Sequence, residues 1–573
     1  MTVDLTFLVG GGAGAGVMLA GRVASKILVR SGYWVYATNE YPSLIRGGHN
    51  WFLGRVCDRR VYSQRLPIDV IVALDDLTVE KHKERLSERG VIIAEKPGDR
   101  VVEVPLSKVA REEGAPPVTK NMVAIGALMG LLGVDREVLE STVRKEFARR
   151  GPKIAELNVK LASGGYEYGE KNRGALGVSL PKRENSKRMF LTGNDAIALG
   201  ALAAGMKFFA AYPMTPASPI LHFLAAVEEK TGIVAIQPEN EIAAINMVIG
   251  AAYAGARSMT ATSGGGFSLM VEALGQAGMT ETPIVVVEAQ RPGPSTGLPT
   301  HTAQGDLRFA MHASQGEFAR FIIAPGDQEE AFYLAAEAFN LAEKYQVPAI
   351  ILIDKYLGES YSTVSSFDTS KVSIDRGKVV SDPVDNYKRY AVTDDGVSPR
   401  AFPGTPNVIV RANSSEHTEE GYGSDDPAVV RRMVQKRMRK YEAMRRHVEE
   451  RRDSVKTYGE GGDATLVFWG SVKGPALEAQ RLLEEKGLKT LLVQVVFLAP
   501  FPESRVKEVL ENAARPLILV ENNVTGQLRS LLREYTCIEP DEVFLKYDGR
   551  PFYPSEIASK VLEVVGDERP LLY

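Results

Sequence analysis

The chain has 573 residues, of which 44% are hydrophobic and 25% are charged, and its formal net charge is −3. This composition is typical of soluble globular proteins and excludes wholesale disorder, collagen-like repeats and a global electrostatic attraction to nucleic acid or anionic membranes. At roughly 100–200 residues per domain, the length predicts three or four domains.

Two features bear on the cellular compartment. The apolar runs are shorter than a bilayer span or interrupted by polar residues, and residues 1–6 lack the basic segment that opens a signal peptide. The two cysteines, Cys57 and Cys537, are too few for a Cys₄ iron–sulfur cluster or a disulfide scaffold. We therefore expect a cytoplasmic protein with no membrane segment and no metal site of its own.

Short β-branched runs alternate with amphipathic helices in three successive blocks. This alternation predicts an α/β fold of three doubly wound domains with parallel sheets. The predicted domains span residues 1–163, 189–361 and 461–573.

Two segments interrupt this pattern. Residues 164–188 are rich in Gly, Lys and Glu, which predicts an inter-domain linker. Residues 362–460 predict a long excursion over the surface followed by a basic connecting helix at 426–453. That helix is either a solvated connection or a docking face for an acidic protein or a phosphate-bearing ligand.

A glycine-rich turn follows the first predicted strand and includes Gly12, Gly14 and Gly16. Glycines at the start of a helix let backbone N–H groups approach an anion, although a tight turn that serves only packing has the same sequence. A dinucleotide fingerprint requires an acidic residue about 20 positions further on. Residues 26–34 contain none, which argues against an NAD-dependent dehydrogenase.

The second block has a proline-rich turn at 212–218, in which Tyr212 and Pro213 precede Thr215. Two prolines restrict the backbone around Thr215, so its hydroxyl and the following N–H groups could form a rigid carboxylate receptor at a helix N-terminus. The alternative is a simple turn in which Thr215 caps the helix.

Glu241 stands at the head of an apolar helix rich in Ala and Gly. It is either a functional carboxylate or a residue that only complements the helix dipole. Two predicted strand-end loops follow, at 260–266 and 288–300, and open α/β sheets bind their ligands at such loops.

Together these motifs resemble the α subunit of the 2-oxoacid:ferredoxin oxidoreductases, in the form with the γ domain fused at its N-terminus. Residues 40–49 are similar to the γ-domain signature, and 212–218 are similar to the family motif Y-P-I-T-P-S-S. Residues 293–300 and 304–307 follow the family pattern, and 493–502 and 521–528 resemble the transketolase-C-terminal-like domain. The resemblance implies a γ-type domain, a pyrimidine-binding domain for thiamine diphosphate and a transketolase-C-terminal-like domain.

The resemblance implies oxidative decarboxylation of a 2-oxoacid on thiamine diphosphate, with coenzyme A as acyl acceptor and ferredoxin as electron acceptor. By this resemblance Glu241 bonds the aminopyrimidine ring and is the catalytic carboxylate, and Thr215 binds the substrate carboxylate. The remaining predicted site residues are Tyr212, Pro213, Arg291 and His301 for the substrate and Ser263 and Gly264 for the cofactor.

The sequence lacks the G-D-G…N segment that holds Mg²⁺ and diphosphate in thiamine enzymes, and it lacks cysteines for a cluster. We therefore expect half an active site, completed by a β subunit that carries the diphosphate site, Mg²⁺ and a [4Fe-4S] cluster. The expected assembly is a dimer of αβ heterodimers without nucleic acid.

His301 occupies a position that often carries Lys or Arg in relatives. A His can meet a substrate carboxylate either protonated or as a neutral donor, and a second basic contact favours the dicarboxylate 2-oxoglutarate. A His301 that only packs beside Arg291 leaves pyruvate or a branched-chain or aromatic 2-oxoacid. For coenzyme A the candidate residues lie in the first domain: Gly12, Gly14, Gly16, Arg46 and His49.

Overall fold

The computed structural model describes residues 3–42, 47–184, 187–382 and 384–567. Within these ranges it contains three β-sheets with helices packed on them. The α/β class and the three-domain architecture predicted from the sequence are confirmed. None of the described helices has the length and apolar character that a membrane span requires.

The N-terminal part of the chain folds around the first sheet. Its strands are β1 (Asp4–Gly12), β2 (Trp34–Glu40), β3 (His49–Cys57), β4 (Ile68–Ala73), β5 (Leu86–Ala94) and β6 (Val101–Glu103). Its helices are α1 (Val17–Arg30), α2 (Asp76–His82), α3 (Leu106–Glu112), α4 (Lys120–Leu131), α5 (Arg136–Phe147) and α6 (Pro152–Lys171).

This first sheet is mixed, whereas the sequence pattern predicted a parallel one. Strands β1, β4, β5 and β6 are parallel neighbours, but β3 runs antiparallel to both β1 and β2. The connection 41–48 between β2 and β3 is too short for the crossover of about a dozen residues that parallel neighbours require. The expectation of parallel pairing throughout was therefore wrong for this sheet.

The predicted linker 164–188 begins as a packed helix, because α6 continues to Lys171. A Cβ atom on Gly165 would lie 1.9 Å from the carbonyl oxygen of Val123, and one on Gly169 would lie 2.0 Å from that of Ala127. The glycines that made this segment look like a linker therefore allow α6 to pack in backbone contact with α4.

The central part contributes the next set of elements. Its strands are β7 (Arg188–Thr192), β8 (Phe208–Ala210), β9 (Val234–Ile236), β10 (Ser258–Thr262), β11 (Val285–Gln290), β12 (Phe321–Ile323), β13 (Ala349–Asp354) and β14 (Tyr361–Ser365). Its helices are α7 (Gly193–Ala203), α8 (Ser218–Thr231), α9 (Glu241–Tyr253), α10 (Gly264–Met279), α11 (Leu307–His312), α12 (Gln328–Tyr345) and α13 (Lys355–Glu359).

Six of these strands form a parallel sheet in the order β12-β13-β11-β10-β8-β9. The carboxyl ends of β8, β10 and β11 therefore reach the same edge. Strands β14 and β7 instead extend the first sheet beyond β2, so the first and central domains share a continuous layer.

The C-terminal part follows the long helix α14 (Pro427–Glu450). Its strands are β15 (Val455–Tyr458), β16 (Ala464–Trp469), β17 (Thr490–Val495), β18 (Phe497–Ala499), β19 (Leu517–Glu521) and β20 (Glu542–Leu545), and its helices are α15 (Lys473–Glu484), α16 (Glu503–Glu511), α17 (Gln527–Thr536) and α18 (Pro554–Val565). The sheet order is β15-β17-β16-β19-β20, and β18 pairs with β12 of the central sheet.

Helix α14 is not simply a solvated connection. Lys436 Nζ lies 2.6 Å from Glu281 Oε1, Lys440 pairs with the other oxygen of that carboxylate, and all three side chains are buried. Arg437 pairs with Glu416 at 2.6 Å. One side of this basic helix therefore supplies counterions to the protein interior, which the sequence pattern did not show.

Candidate active site

The loops that follow β8, β10 and β11 meet at the carboxyl edge of the central sheet. The register places Thr262 at the end of β10 beside Glu288 in β11. Adjacent parallel strand ends of this kind form the ligand crevice of open α/β sheets.

Glu241 is the first residue of α9, and only 3% of it is exposed. Asn240 caps the helix by accepting a hydrogen bond from the Ala243 N–H at 2.9 Å. A Cβ atom on Gly266 would lie 2.6 Å from Glu241 Oε1 and 2.1 Å from Thr262 Oγ1. The missing side chain at Gly266 is therefore what leaves room for the Glu241 carboxylate between α9 and α10.

Ser263 and Gly264 lie at the same end of α10. Ser263 is fully buried, and its hydroxyl has no hydrogen-bond partner within the described part of the chain. Gly264 approaches Asp306 so closely that a Cβ atom would lie 2.5 Å from Asp306 Oδ2. The predicted site residues Glu241, Ser263 and Gly264 are thus brought to one place in the fold.

Thr215 and Arg291 also meet. Arg291 Nη1 donates a hydrogen bond of 2.8 Å to the Thr215 carbonyl oxygen, and burial lowers the pKa of Arg291. The N-cap of α8 is Ala217, so Thr215 does not cap the helix as one alternative proposed. Tyr212 and Pro213 precede it on the same loop, and 38% of Tyr212 is exposed.

A buried pair of carboxyl groups was not predicted from the sequence. Glu288 is fully buried next to Asp306, and burial raises its pKa well above the usual range, with the Asp306 charge adding to the effect. Burial also raises the pKa of Asp306. Burial therefore shifts both carboxyl groups toward their protonated forms. The one indication of this pair in the sequence was Glu288, an acidic residue inside a mostly apolar strand.

His301 lies where the three domains meet. A Cβ atom on Gly549 would lie 3.2 Å from His301 Cβ, and the Nδ1 atom of His301 is 3.2 Å from Thr300 Oγ1. Burial, and next the charge of Arg550, lower the pKa of His301, so the ring is neutral at pH 7. Arg550 itself was missed by sequence reasoning: its Nη1 atom is buried and 3.6 Å from Glu40 Oε2, with no hydrogen bond to the described residues.

The loop of His301 rests on a second buried acid, Asp354. Its Oδ1 atom accepts a hydrogen bond from the Leu357 N–H at 2.9 Å, and its other oxygen accepts one from the Ser471 hydroxyl of the C-terminal domain. Burial raises the pKa of Asp354 to about 6. Thr302 accepts a hydrogen bond from the Tyr356 N–H at 3.2 Å, which ties the loop to α13.

In the first domain, two of the candidate coenzyme A residues have internal partners. The Gly12 N–H donates to Asp75 Oδ2 at 2.7 Å, and His49 Nε2 lies 2.9 Å from His82 Nε2. A dinucleotide diphosphate at Gly12 would meet the Asp75 carboxylate, which argues further against an NAD site.

Gly14 is exposed, with φ +91° and nothing within 4 Å of a Cβ atom, and Gly16 is the N-cap of α1. Arg46, the fifth candidate, lies outside the described residues. In the part of the chain that the structure describes, no group of three or more His, Cys, Asp or Glu side chains could hold a metal ion.

Comparison with known proteins gives a consistent set of relatives. Residues 199–436 match the family described as pyruvate flavodoxin/ferredoxin oxidoreductase, thiamine diP-binding, and residues 6–168 match pyruvate ferredoxin/flavodoxin oxidoreductase. The chain is 35% identical to 2-oxoacid:ferredoxin oxidoreductase 2, subunit alpha, of Aeropyrum pernix, over 99% of both chains. It is 33% identical to the 2-oxoglutarate synthase subunit KorA of Methanothermobacter thermautotrophicus, over 66% of this chain and 99% of that one.

A solved structure is similar over almost the whole length. The 2-oxoglutarate:ferredoxin oxidoreductase from Magnetococcus marinus with 2-oxoglutarate, coenzyme A and succinyl-CoA bound is 32% identical. The match covers 98% of this chain and 99% of that one, with a TM-score of 0.90.

Proposed function

This chain belongs to the 2-oxoacid:ferredoxin oxidoreductase family as an α subunit, and we propose that it oxidatively decarboxylates 2-oxoglutarate together with a β subunit. The products are CO₂ and succinyl-CoA, with coenzyme A as the acyl acceptor and ferredoxin as the acceptor of two electrons. The observation that carries this proposal is the buried Glu241 carboxylate in its glycine-lined place beside α10.

The residues around Glu241 fit the aminopyrimidine ring of thiamine diphosphate. The buried Ser263 hydroxyl has no partner among the described residues, so a polar group of a ligand would satisfy it. Gly265 is exposed and a Cβ atom on it would meet nothing within 4 Å, so the first turn of α10 next to Ser263 is open to solvent. When bound, this cofactor supplies the carbanion chemistry that cleaves a 2-oxoacid between its carboxylate and its carbonyl carbon.

The chain's own residues then have separate tasks. With the cofactor bound, the Glu241 carboxyl group would exchange a proton with the aminopyrimidine ring. Thr215 donates its hydroxyl hydrogen to the substrate carboxylate, and Arg291 both fixes the Thr215 backbone and brings a positive charge to the same place. Tyr212 and Pro213 form the outer wall of this pocket.

We assign the distal carboxylate of 2-oxoglutarate to His301. Because its ring is neutral, it contributes an N–H donor, and the positive charge comes from Arg550, whose Nη1 atom is buried without a hydrogen bond to the described residues. The two relatives named for 2-oxoglutarate support the choice of this substrate. Pyruvate and branched-chain or aromatic 2-oxoacids are the alternatives, since other relatives are named only for 2-oxoacids.

Partner contacts follow from an exposed apolar face next to Glu241. Ile242 and Met247 on α9 and Leu269 on α10 are 51%, 40% and 51% exposed. Apolar side chains concentrated around a site mark an interface. We propose that the β subunit covers this face and carries the diphosphate site, Mg²⁺ and the [4Fe-4S] cluster, and that two such heterodimers pair.

We propose that coenzyme A approaches the first domain at the exposed turn of Gly14 and the nearby residues 47–49, and Arg46, which lies outside the described residues, stays a candidate. Gly12 and His49 contribute there through the shape of the turn, because both already have internal partners.

A coupled assay tests the proposed function. The chain is assayed anaerobically with and without its β partner, in the presence of thiamine diphosphate, Mg²⁺, coenzyme A and a viologen dye, with 2-oxoglutarate, pyruvate or a branched-chain 2-oxoacid. Dye reduction is expected only in the complex, only with coenzyme A, and fastest with 2-oxoglutarate. Turnover by this chain alone would contradict the proposal that it forms half of the active site. A preference for pyruvate would contradict the substrate assignment.

A further inference from the structure

A strongly basic groove lies between the first and central domains, outside the candidate active site. It has a volume of about 780 Å³ and is formed by α1, α5, the turn at 148–150 and β7. Its cationic lining residues are Arg22, Lys26, Arg30, Lys145, Arg149, Arg150 and Arg188. The only acidic residue in this lining is Glu146. The chain as a whole is slightly negative, so this concentration of positive charge is local.

Glu146 neutralises only a small part of this charge. Its carboxylate is shared by Arg22 at 3.3 Å and Lys26 at 2.6 Å. Arg30 Nη1 donates to the hydroxyl of Thr142 at 3.0 Å, and Arg188 Nη1 donates to a backbone carbonyl at 2.9 Å. These two acceptors are neutral, so neither of the two bonds neutralises a positive charge.

Two guanidinium N–H groups in this lining point independently to a ligand. The Nε atoms of Arg22 and Arg188 are buried and have no hydrogen-bond partner within the described ranges. Both guanidinium groups, of which that of Arg188 also stacks over the Trp34 ring at 4.1 Å, therefore have hydrogen-bonding capacity that the described part of the protein does not use.

We propose that this groove binds an oligophosphate, an anion with two or more linked phosphate groups, at a site separate from the active site. Guanidinium groups match the oxygens of a phosphate in pairs, and a row of them suits linked phosphates better than a single one. Leu19, Val29 and Phe190 give the groove an apolar wall, and its volume falls within the range of about 300–1,000 Å³ that is usual for small-molecule sites. The oligophosphate contacts α1 of the first domain and β7 of the central domain. It therefore bridges the two domains whose strands form the first sheet.

The test is isothermal titration calorimetry on the assembled complex with the β subunit, using pyrophosphate, ATP, coenzyme A and citrate at matched ionic strength. The variant Arg149→Ser/Arg150→Ser removes two exposed cations of the groove. The variant Lys108→Ser/Arg111→Ser makes the same change of charge on α3 and is the matched control. We expect pyrophosphate and ATP to bind, with an affinity at least about tenfold lower in the groove variant and unchanged in the control.

If ATP binds more tightly than pyrophosphate, the ligand is a nucleotide. If the two bind equally, the groove recognises only the linked phosphates. The proposal is overturned if neither binds, if citrate binds as tightly, or if the control loses affinity equally. It is also overturned if the groove variant weakens coenzyme A binding, which would make the groove part of that site, or if it releases the β subunit, which would make the groove a protein interface. None of these measurements depends on turnover, so they stand apart from the assay of the proposed function.

Discussion

Arg291 donates a hydrogen bond from Nη1 to the carbonyl oxygen of Thr215 at 2.8 Å, although the two residues are 76 positions apart. The bond joins the loop after β11 to the loop after β8, across the end of the intervening strand β10. It holds the Thr215 backbone in place and brings a guanidinium next to it. In the proposed function, these two loops together form the receptor for the substrate carboxylate.

Replacement of Thr215 tests this receptor. Thr215→Ala removes the hydroxyl but keeps the backbone bond from Arg291, so the KM for the 2-oxoacid is expected to rise roughly tenfold or more, which is the effect of one hydrogen bond to a charged group. Thr215→Ser keeps the hydroxyl and is expected to stay close to the parent. Steady-state kinetics of the αβ complex measure both, and equal KM values for all three would place the substrate carboxylate elsewhere.

Glu241→Gln keeps the shape of the buried side chain but removes the carboxylate. We expect turnover to fall by roughly 10²–10⁴-fold, the range of a general acid–base residue, with assembly unchanged. Glu239→Gln is the matched control, because Glu239 lies two positions away and is exposed. Near-normal turnover in Glu241→Gln, or an equal loss in the control, would contradict the cofactor role.

Gly266 and Gly265 form a second matched pair, on the first turn of α10. Gly266→Ala places a Cβ atom 2.6 Å from Glu241 Oε1 and 2.1 Å from Thr262 Oγ1, so it is expected to displace the carboxylate, abolish turnover and lower the Tm. Gly265→Ala meets nothing within 4 Å and is expected to raise the free energy of unfolding by up to about 1 kcal/mol. Thermal unfolding of the isolated chain compares them, and a stable, active Gly266→Ala would refute the packing argument.

His301→Ala tests the substrate assignment. The kcat/KM for 2-oxoglutarate is expected to fall about tenfold or more from the loss of one donor to a carboxylate, whereas that for pyruvate, which lacks the distal carboxylate, is expected to change little. Arg550→Gln should likewise lower the kcat/KM for 2-oxoglutarate relative to that for pyruvate. A parallel loss for both acids would show that His301 only supports the loop.

Asp354 predicts a pH dependence of stability. Its pKa in the folded chain, about 6, lies above its ordinary value of 3.8, so the folded chain holds this proton more tightly than the unfolded chain. Its contribution to stability is therefore full below pH 4 and falls by about 3 kcal/mol as the pH rises through 6. Asp354→Asn cannot titrate, so the difference in unfolding midpoint between it and the parent should change between pH 4 and 7. A constant difference would contradict the shifted pKa.

Local pattern was a good guide to the central sheet and to the parallel strands β17, β16, β19 and β20 of the C-terminal sheet, and a poor one to the first sheet. In the central sheet each strand is followed by a helix, and this order alone requires parallel neighbours whose carboxyl ends share an edge. In the first sheet β2 and β3 are joined by a short connection that reverses the chain, and the strands β7 and β14 join from outside the domain. The hydrophobic periodicity of a strand does not show which sheet the strand joins when its neighbours are far away in the chain.

By itself the sequence determined the fold class and the family, and it predicted Thr215, Glu241 and Arg291 as site residues, because these inferences depend on local motifs. Only the tertiary structure decided which groups are buried together. The pairing of Glu288 with Asp306, the neutral state of His301 beside Arg550 and the internal salt bridges of α14 all arise between residues far apart in the chain. Burial and the nearest charges set the protonation of these groups, and both exist only once the chain has folded.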